Sequence, residues 1–196
     1  IFATVAVMVF AAGNPTDISV YQTIVNLSMF QTFVGVDHID GVFWSLTVEI
    51  VFYAWIVALI VCKAMHRFES YSLVILLVAA IHALHPLPSV FYVLLLPYWS
   101  CYFVAGAMFH LIQSQGMNSS RLTTLTLCFA LALNQCLHYT QKMEDTYLQA
   151  FSGSAALMIT TGMFAFFALI VATKRQVSIP GAVTLGALSY PIYLLH

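Results

Sequence analysis

Three polar side chains lie in an otherwise apolar run and could do chemistry. Ser45, Glu49 and Tyr53 recur at i, i+4 and i+8, so on a helix they form one polar stripe. The run continues apolar to Cys62, and a carboxylate in hydrocarbon must be paired, protonated or facing a polar cavity. Spacing alone leaves two interpretations of Glu49: a structural residue hydrogen-bonded to a neighbouring helix, or a site residue inside a membrane bundle.

The composition indicates that lipid is the solvent for most of the chain. Of 196 residues, 62% are hydrophobic and only 7% are charged, and the mean hydropathy is +0.94. A soluble domain of this length could not bury so much apolar surface. We therefore predict an all-α, polytopic transmembrane helical bundle whose partner is the bilayer. A net charge of −1 indicates no partner class, and nothing points to nucleic acid.

Apolar segments separated by polar or Pro/Gly breaks predict about seven helices, two of them partial. These are 1–12, 42–62, 70–84, 90–112, 121–138, 150–173 and 183–196. Segment 18–34 carries many polar residues, and we interpret it as an interfacial or re-entrant helix. We expect residues 1–196 to form one membrane domain truncated at both ends, because Ile1 opens an apolar stretch and His196 stops within another.

Basic residues orient the predicted bundle. With alternating spans, five of the six fall on one side, which the positive-inside rule makes cytoplasmic. These five are Lys63, Arg67, Arg121, Lys174 and Arg175. Only Lys142 lies on the opposite side. The four cysteines show no paired metal-ligand spacing, so we interpret them as small packing residues.

Two motifs, and a third that matches more weakly, resemble those of the membrane acyltransferase family 3. The run Phe43-Trp44-Ser45-Leu46-Thr47-Val48-Glu49, continued by Phe52-Tyr53, is similar to the family signature W-S-L-x-x-E-x-x-F-Y. Residues 185–196 look like its L-G-x-x-S-Y-x-x-Y-L-x-H helix, and residues 103–106 are similar to its F-x-x-G helix. Two motifs in the right order are far more specific than either alone.

The resemblance implies an enzyme of the bacterial inner membrane with roughly ten spanning helices. Such enzymes transfer an acyl group, commonly acetyl from acetyl-CoA, to a hydroxyl of a cell-surface carbohydrate or lipid-linked glycan. The acyl-CoA is a donor substrate, and no permanently bound cofactor is expected. The family's catalytic arginine and histidine would precede Ile1, so we expect the fragment alone to be inactive.

Depth along the helices predicts a catalytic pair. Glu49 lies roughly 10 Å below the outer end of its helix, and His196 roughly 22 Å above the inner start of its own. In a core of about 30 Å, both sit at a similar level, where a carboxylate and an imidazole could form a hydrogen-bonded pair. The alternative is that His196 caps or packs a helix end. For the substrate we predict contacts with Trp44, Ser45, Tyr53 and Tyr190.

The remaining polar residues have narrower interpretations. The five cytoplasmic cations are the predicted binding residues for the CoA phosphates. No Gly-x-Ser-x-Gly elbow surrounds Ser45, so we expect its hydroxyl to bond within the helix rather than act as a nucleophile. The outer histidines lack a dense ligand motif, and we predict no metal site. They are His38, His82, His85 and His138.

Two other functions fit a polytopic bundle with a buried carboxylate. A transporter would carry several intramembrane charges and interrupted helices in both halves. A non-catalytic membrane protein could keep the same fold. Because Glu49 is the one carboxylate clearly within a span and no inverted repeat is visible, the sequence favours an O-acyltransferase.

Overall fold

The computed structural model describes residues 19–39, 43–88, 91, 94–147 and 152–173. Every regular element in these residues is helical, with seven α-helices and one short 3₁₀ helix. The predicted all-α class is confirmed for this part of the chain. The residues fall into two compact units, with a boundary between Ile50 and Val51. The first unit contains described residues 19–39 and 43–50, and the second contains those from 51 to 173.

Two short helices are described in the first unit. Helix α1, Val20–Ser28, begins where the Ser19 side chain accepts a hydrogen bond from the Gln22 amide at 3.0 Å. Helix α2, Gln31–Val34, ends at Gly35, whose φ of 70° suits glycine. The helices are roughly 14 and 6 Å long. Neither can cross a bilayer, in agreement with the expectation that segment 18–34 is not a clean span.

Longer helices follow in chain order. Helix α3, Phe43–Val61, matches the predicted 42–62, and a 3₁₀ turn at Met65–Arg67 leads onward. The others are α4 (Phe68–Leu84), α5 (Ser100–Gln115), α6 (Ser119–Tyr147) and α7 (Gly153–Thr173). Three of them correspond to the predicted 70–84, 121–138 and 150–173. The predicted helices 1–12 and 183–196 lie outside the described residues.

Two predicted boundaries were wrong. The helix predicted over 90–112 does not run unbroken, because Leu96 has a φ of 44° and α5 begins only at Ser100. Pro97 explains this break, since proline lacks the amide proton and keeps the preceding residue out of the helical region. Helix α6 runs on through polar residues to Tyr147 instead of ending at 138. Its 29 residues make it about 43 Å long.

Helices α4 to α7 of the second unit share one hydrophobic core. Several of its buried residues are small, which lets the helix backbones approach closely. Among the larger ones, Leu76 and Met108 are fully buried. The small members are Ala79, Cys101, Ala105, Cys128 and Ala132. Two cysteines therefore pack as small apolar residues, as predicted.

Two helical segments of the described chain are long and apolar enough to cross a membrane. They are Met65–Leu84 and Gly153–Thr173, while Ser45–Val61 is apolar but shorter. Helix α7 leaves bulky side chains such as Ile159 and Leu169 mostly exposed, as expected of a lipid-facing helix. The complete polytopic bundle stays a prediction.

Arg121 ties three helices together at one end of the second unit. Its Nε donates to Glu69 Oε1 at 2.8 Å, and Nη2 lies 2.8 Å from the same oxygen. Nη1 donates to the carbonyls of Leu111 and Gly116, and Nη2 also donates to Gln115 Oε1. The guanidinium thus donates four hydrogen bonds and forms an ion pair with Glu69, which compensates for burying the charge.

We expect Arg121→Ala to lower the unfolding free energy by about 3 kcal/mol, because it leaves the Glu69 carboxylate and two carbonyls without their donor. Thermal unfolding of the purified protein in detergent measures this effect. Arg67→Ala removes an exposed arginine and is the matched control. Equal destabilisation by the two substitutions would contradict the structural role of Arg121.

Candidate functional site

The signature residues in the first half of α3 differ in how deeply they are buried. Leu46 and Thr47 are buried, Ser45 and Glu49 are half-buried, and Tyr53 is 61% exposed. The side chain of Trp44 lies outside the described residues. No described residue pairs with the Glu49 carboxylate. The interpretation of Glu49 as a structural residue would require a partner on a neighbouring helix. The described part of the chain supplies none.

A polar cluster braces this half of α3 within the first unit. The hydroxyls of Thr32 and Thr47 are hydrogen-bonded at 2.9 Å, which ties α2 to α3 two residues before Glu49. Thr32 Oγ1 also lies 3.3 Å from His38 Nε2. Gln31 Nε2 lies 3.1 Å from His38 Nδ1. We call these four residues the Thr47 cluster.

The Thr47 cluster determines the tautomer of its histidine. The Gln31 amide nitrogen can only donate, so His38 Nδ1 must accept, and the proton of the neutral ring resides on Nε2. The Nε2–H group points to Thr32 Oγ1, and the Thr32 hydroxyl can in turn donate a hydrogen bond to Thr47 Oγ1. Gln31 is fully buried, yet its Oε1 has no partner among the described residues. The hydrogen bonds of the cluster thus run in one direction, from Gln31 through His38 and Thr32 to Thr47. Gln31 Oε1 remains an acceptor without a described partner.

Asn26 holds the loop that carries His38. Its side chain is fully buried, and Nδ2 donates to the carbonyls of Gln22 and Asp37 at 2.9 and 3.0 Å. Its Oδ1 accepts from the amide of Ile39 at 3.1 Å. These bonds satisfy loop backbone groups on either side of His38, so the imidazole is held from both directions.

The second half of α3 packs within the second unit. Phe52 stacks on Phe103 of α5 with ring centroids 4.4 Å apart and an interplanar angle of 15°. Trp55 Nε1 donates to the Leu94 carbonyl at 2.8 Å. Phe52 belongs to the W-S-L-x-x-E-x-x-F-Y run and Phe103 to the F-x-x-G match, so this contact joins two of the motifs.

Exposed cations follow the end of α3. Lys63 adopts φ 54° and its amide donates to Ile60, while the amide of Ala64 donates to Leu59, an arrangement that ends the helix. Lys63 and Arg67 are both exposed. Arg121, in contrast, uses its guanidinium within the fold. Four predicted site residues lie outside the described residues: Lys174, Arg175, Tyr190 and His196.

His82 and His85, predicted to lie at one end of their helix, have different environments. His82 is buried, accepts the Leu87 amide on Nδ1 at 3.1 Å and meets the Tyr98 ring edge-on at 5.0 Å. His85 is exposed. Within the described ranges, no three His, Cys, Asp or Glu residues cluster.

Two cavities of different chemistry lie in the second unit. The larger one, about 640 Å³, lies between α5, α6 and α7 towards the end that carries Arg121 and is lined mainly by apolar residues such as Phe109, Leu125 and Phe164. The smaller one, about 310 Å³, lies towards the other end. Four aromatic residues line it, Trp99 and Tyr139 among them, and the Gln135 amide also lines it.

Helices, motif residues and cavities together define a helical protein with a candidate acyl-transfer site. The family model described as an acyltransferase domain, that of acyltransferase family 3, matches residues 1–196. The chain therefore belongs to acyltransferase family 3, whose members are membrane proteins. No curated protein and no solved structure matches it. The predicted resemblance is confirmed, and the family supports a transferase.

Sequence reasoning missed the Thr47 cluster as a unit. The polar residues of segment 18–34 were visible, and Thr47 lies within the signature. Their pairing across up to 15 positions was not, since helical spacing relates only residues on one helix. A polar helix that directly precedes the family signature is the signal that could have revealed this contact between α2 and α3.

We expect Thr47→Val to reduce acyl transfer several-fold without loss of protein, because the turn that carries Ser45 and Glu49 loses its bond to α2. A lost buried hydrogen bond costs about 1–3 kcal/mol. Transfer rates at equal protein level measure the effect. Thr123→Val is the control, since the exposed Thr123 bonds only to the Ser119 carbonyl of its own helix. Equal activity of the two variants would refute the bracing role.

Proposed function

We propose that this protein transfers an acyl group, acetyl in the first instance, from acyl-CoA to a hydroxyl of a cell-surface carbohydrate or lipid-linked glycan. The family match over residues 1–196 carries this proposal. The acceptor and the donor are what the resemblance implies. A multi-pass location in the bacterial inner membrane belongs to the same proposal.

Glu49 is the proposed positioning carboxylate. It is half-buried in an apolar helix, and the Thr47 cluster holds the turn from which it projects. A carboxylate kept there without a described partner is poised to bond a titratable group. In the proposed mechanism it orients and polarises a histidine base, as the aspartate does in other acyl-transfer sites. His196 is the candidate partner within this sequence.

The reaction itself balances simply. The base removes the proton of the acceptor hydroxyl, the oxygen attacks the thioester carbonyl, and the carbon–sulfur bond breaks to release CoA. The proton passes from the base to the departing thiolate, so the products are an O-acyl ester and free CoA. Each turnover therefore yields one thiol, which can be measured.

Lys63 and Arg67 are the described cations proposed to meet the phosphates of CoA. Both are exposed and follow the same helix end, so they are available to an anion arriving from water. Arg121 is engaged with Glu69, Gln115 and two carbonyls, so we assign it the support of this end of the fold. Lys174 and Arg175 complete the proposed phosphate-binding set.

We expect Glu49→Gln to lower kcat by roughly 10- to 100-fold, because a neutral amide cannot stabilise the charged base. Release of free CoA and mass spectrometry of the acceptor glycan measure the activity, with each substitution made in the full-length protein. Asp145→Asn makes the same chemical change at an exposed position and is expected to keep the wild-type rate. Wild-type kcat in Glu49→Gln at normal protein level would exclude the role.

We expect Lys63→Gln combined with Arg67→Gln to raise the KM for acyl-CoA roughly tenfold, with a much smaller change in kcat, because exposed charges contribute to donor binding alone. The difference from wild type should shrink at high ionic strength, where screening weakens such contacts. Steady-state kinetics at two salt concentrations test both points. A KM that matches wild type at low salt would contradict the assignment.

A further inference from the structure

Four aromatic rings line the cavity of about 310 Å³ in the second unit. The Trp99 ring centroid lies 6.3 Å from that of Tyr102 and 6.4 Å from that of Tyr139. Tyr98 completes this group, which we call the aromatic cavity. Its volume of about 310 Å³ is at the lower end of the range for small-molecule sites. That volume suits one ring rather than a long chain.

Polar groups of α6 and α7 also line the aromatic cavity. Gln135 donates from Nε2 to the Pro97 carbonyl at 2.9 Å and accepts weakly from Cys101 Sγ at 3.5 Å. These contacts hold the amide in place and leave it one further N–H and further acceptor capacity. Thr140 and the buried Thr160 add hydroxyls. A ligand would thus find donors and acceptors at fixed positions.

The lining excludes several ligand classes. No charged residue is among the described residues that line the aromatic cavity, so an anion such as a CoA phosphate has no counter-charge there. Hydrocarbon fits better in the larger cavity, which is lined mainly by apolar side chains. Flat aromatic faces beside an amide and hydroxyls suit a neutral ligand with C–H faces and hydroxyl edges. A pyranose ring has both.

The length of α6 indicates that the cavity lies near the membrane surface on the predicted outer side. A core of about 30 Å accommodates roughly 20 helical residues, whereas α6 has 29. Counted from Ser119 on the predicted cytoplasmic side, Tyr139 and Thr140 fall where the helix leaves the hydrocarbon. Aromatic residues at that level often anchor a protein to lipid headgroups. Here, however, the rings face a shared cavity instead of projecting singly.

We infer that the aromatic cavity binds one neutral sugar ring of the acceptor glycan. The inference rests on the proposed function and adds to it a place and a chemical class for the acceptor. Trp99 and Tyr139 supply ring faces, while Gln135 and Thr160 supply hydrogen bonds to hydroxyls. Tyr139 is 43% exposed, so it can be truncated with little effect on the core.

Direct binding tests the site without relying on catalysis. Saturation-transfer NMR with the methyl glycosides of glucose, galactose and mannose would be recorded on the protein in nanodiscs, since a maltoside detergent would compete. We expect transfer to the ring C–H protons of at least one sugar, loss of that signal in Tyr139→Ala and retention in Tyr139→Phe. Thr160→Val is a second variant expected to weaken it. Met117→Ala, in the larger cavity, is the control.

Kinetics separate failure of the inference from failure of the proposed function. Tyr139→Ala should raise the acceptor KM roughly three- to tenfold, as expected for loss of one aromatic contact, with the KM for acyl-CoA unchanged. No sugar signal in wild type, or an equal signal in Tyr139→Ala, overturns the site even if acyl transfer is observed. Sugar binding without acyl transfer supports the site and counts against the proposed function.

Discussion

The cost of leaving a polar group unpaired among apolar helices governs this structure. Arg121 shows the constraint most completely, because its guanidinium donates four hydrogen bonds and forms an ion pair with Glu69. Asn26 obeys it through three bonds to the backbone of α1 and the loop after α2. Where such residues are satisfied, they hold helices and loops together. Glu49 has no such partner among the described residues, and this unused bonding capacity is what its proposed role requires.

This distinction changes how a charge on an apolar helix is interpreted. Arg121 begins a helix on the predicted cytoplasmic side, a position typical of a phosphate-binding residue. The structure places its side chain 9% exposed, against a carboxylate 52 positions earlier in the chain. Lys63 and Arg67 have similar positions in the charge pattern, yet they are exposed. Whether the N–H donors of a cation are already used within the fold, rather than its charge alone, therefore separates a structural residue from a proposed ligand-binding residue.

Among the described residues, the apolar runs of α3, α4 and α7 predicted these helices closely, because hydrophobic length is a local property. Helix α3 was predicted to within one residue at each end. The break at Pro97 was also local, and the rule that a proline interrupts a helix would have placed it. The polar extension of α6 to Tyr147 lacked any apolar signal. Pairings such as Thr32 with Thr47, or Glu69 with Arg121, depend on tertiary contacts that helical periodicity cannot supply.

The two ends of the second unit differ in chemistry, with Arg121 at one end and the aromatic cavity at the other. This difference bears on where acyl transfer would occur. Helix α5 separates the end that carries Arg121 from the aromatic cavity by 16 residues, or about 24 Å. In the proposed reaction, the phosphates of the donor bind at one end and the sugar of the acceptor binds at the other. Their reacting groups must therefore meet between these two ends. In the proposed membrane arrangement this region lies in the hydrocarbon core, where water is scarce and the thioester is protected from hydrolysis. A carboxylate in an apolar helix is costly, and we propose that α3 keeps Glu49 because it serves the reaction.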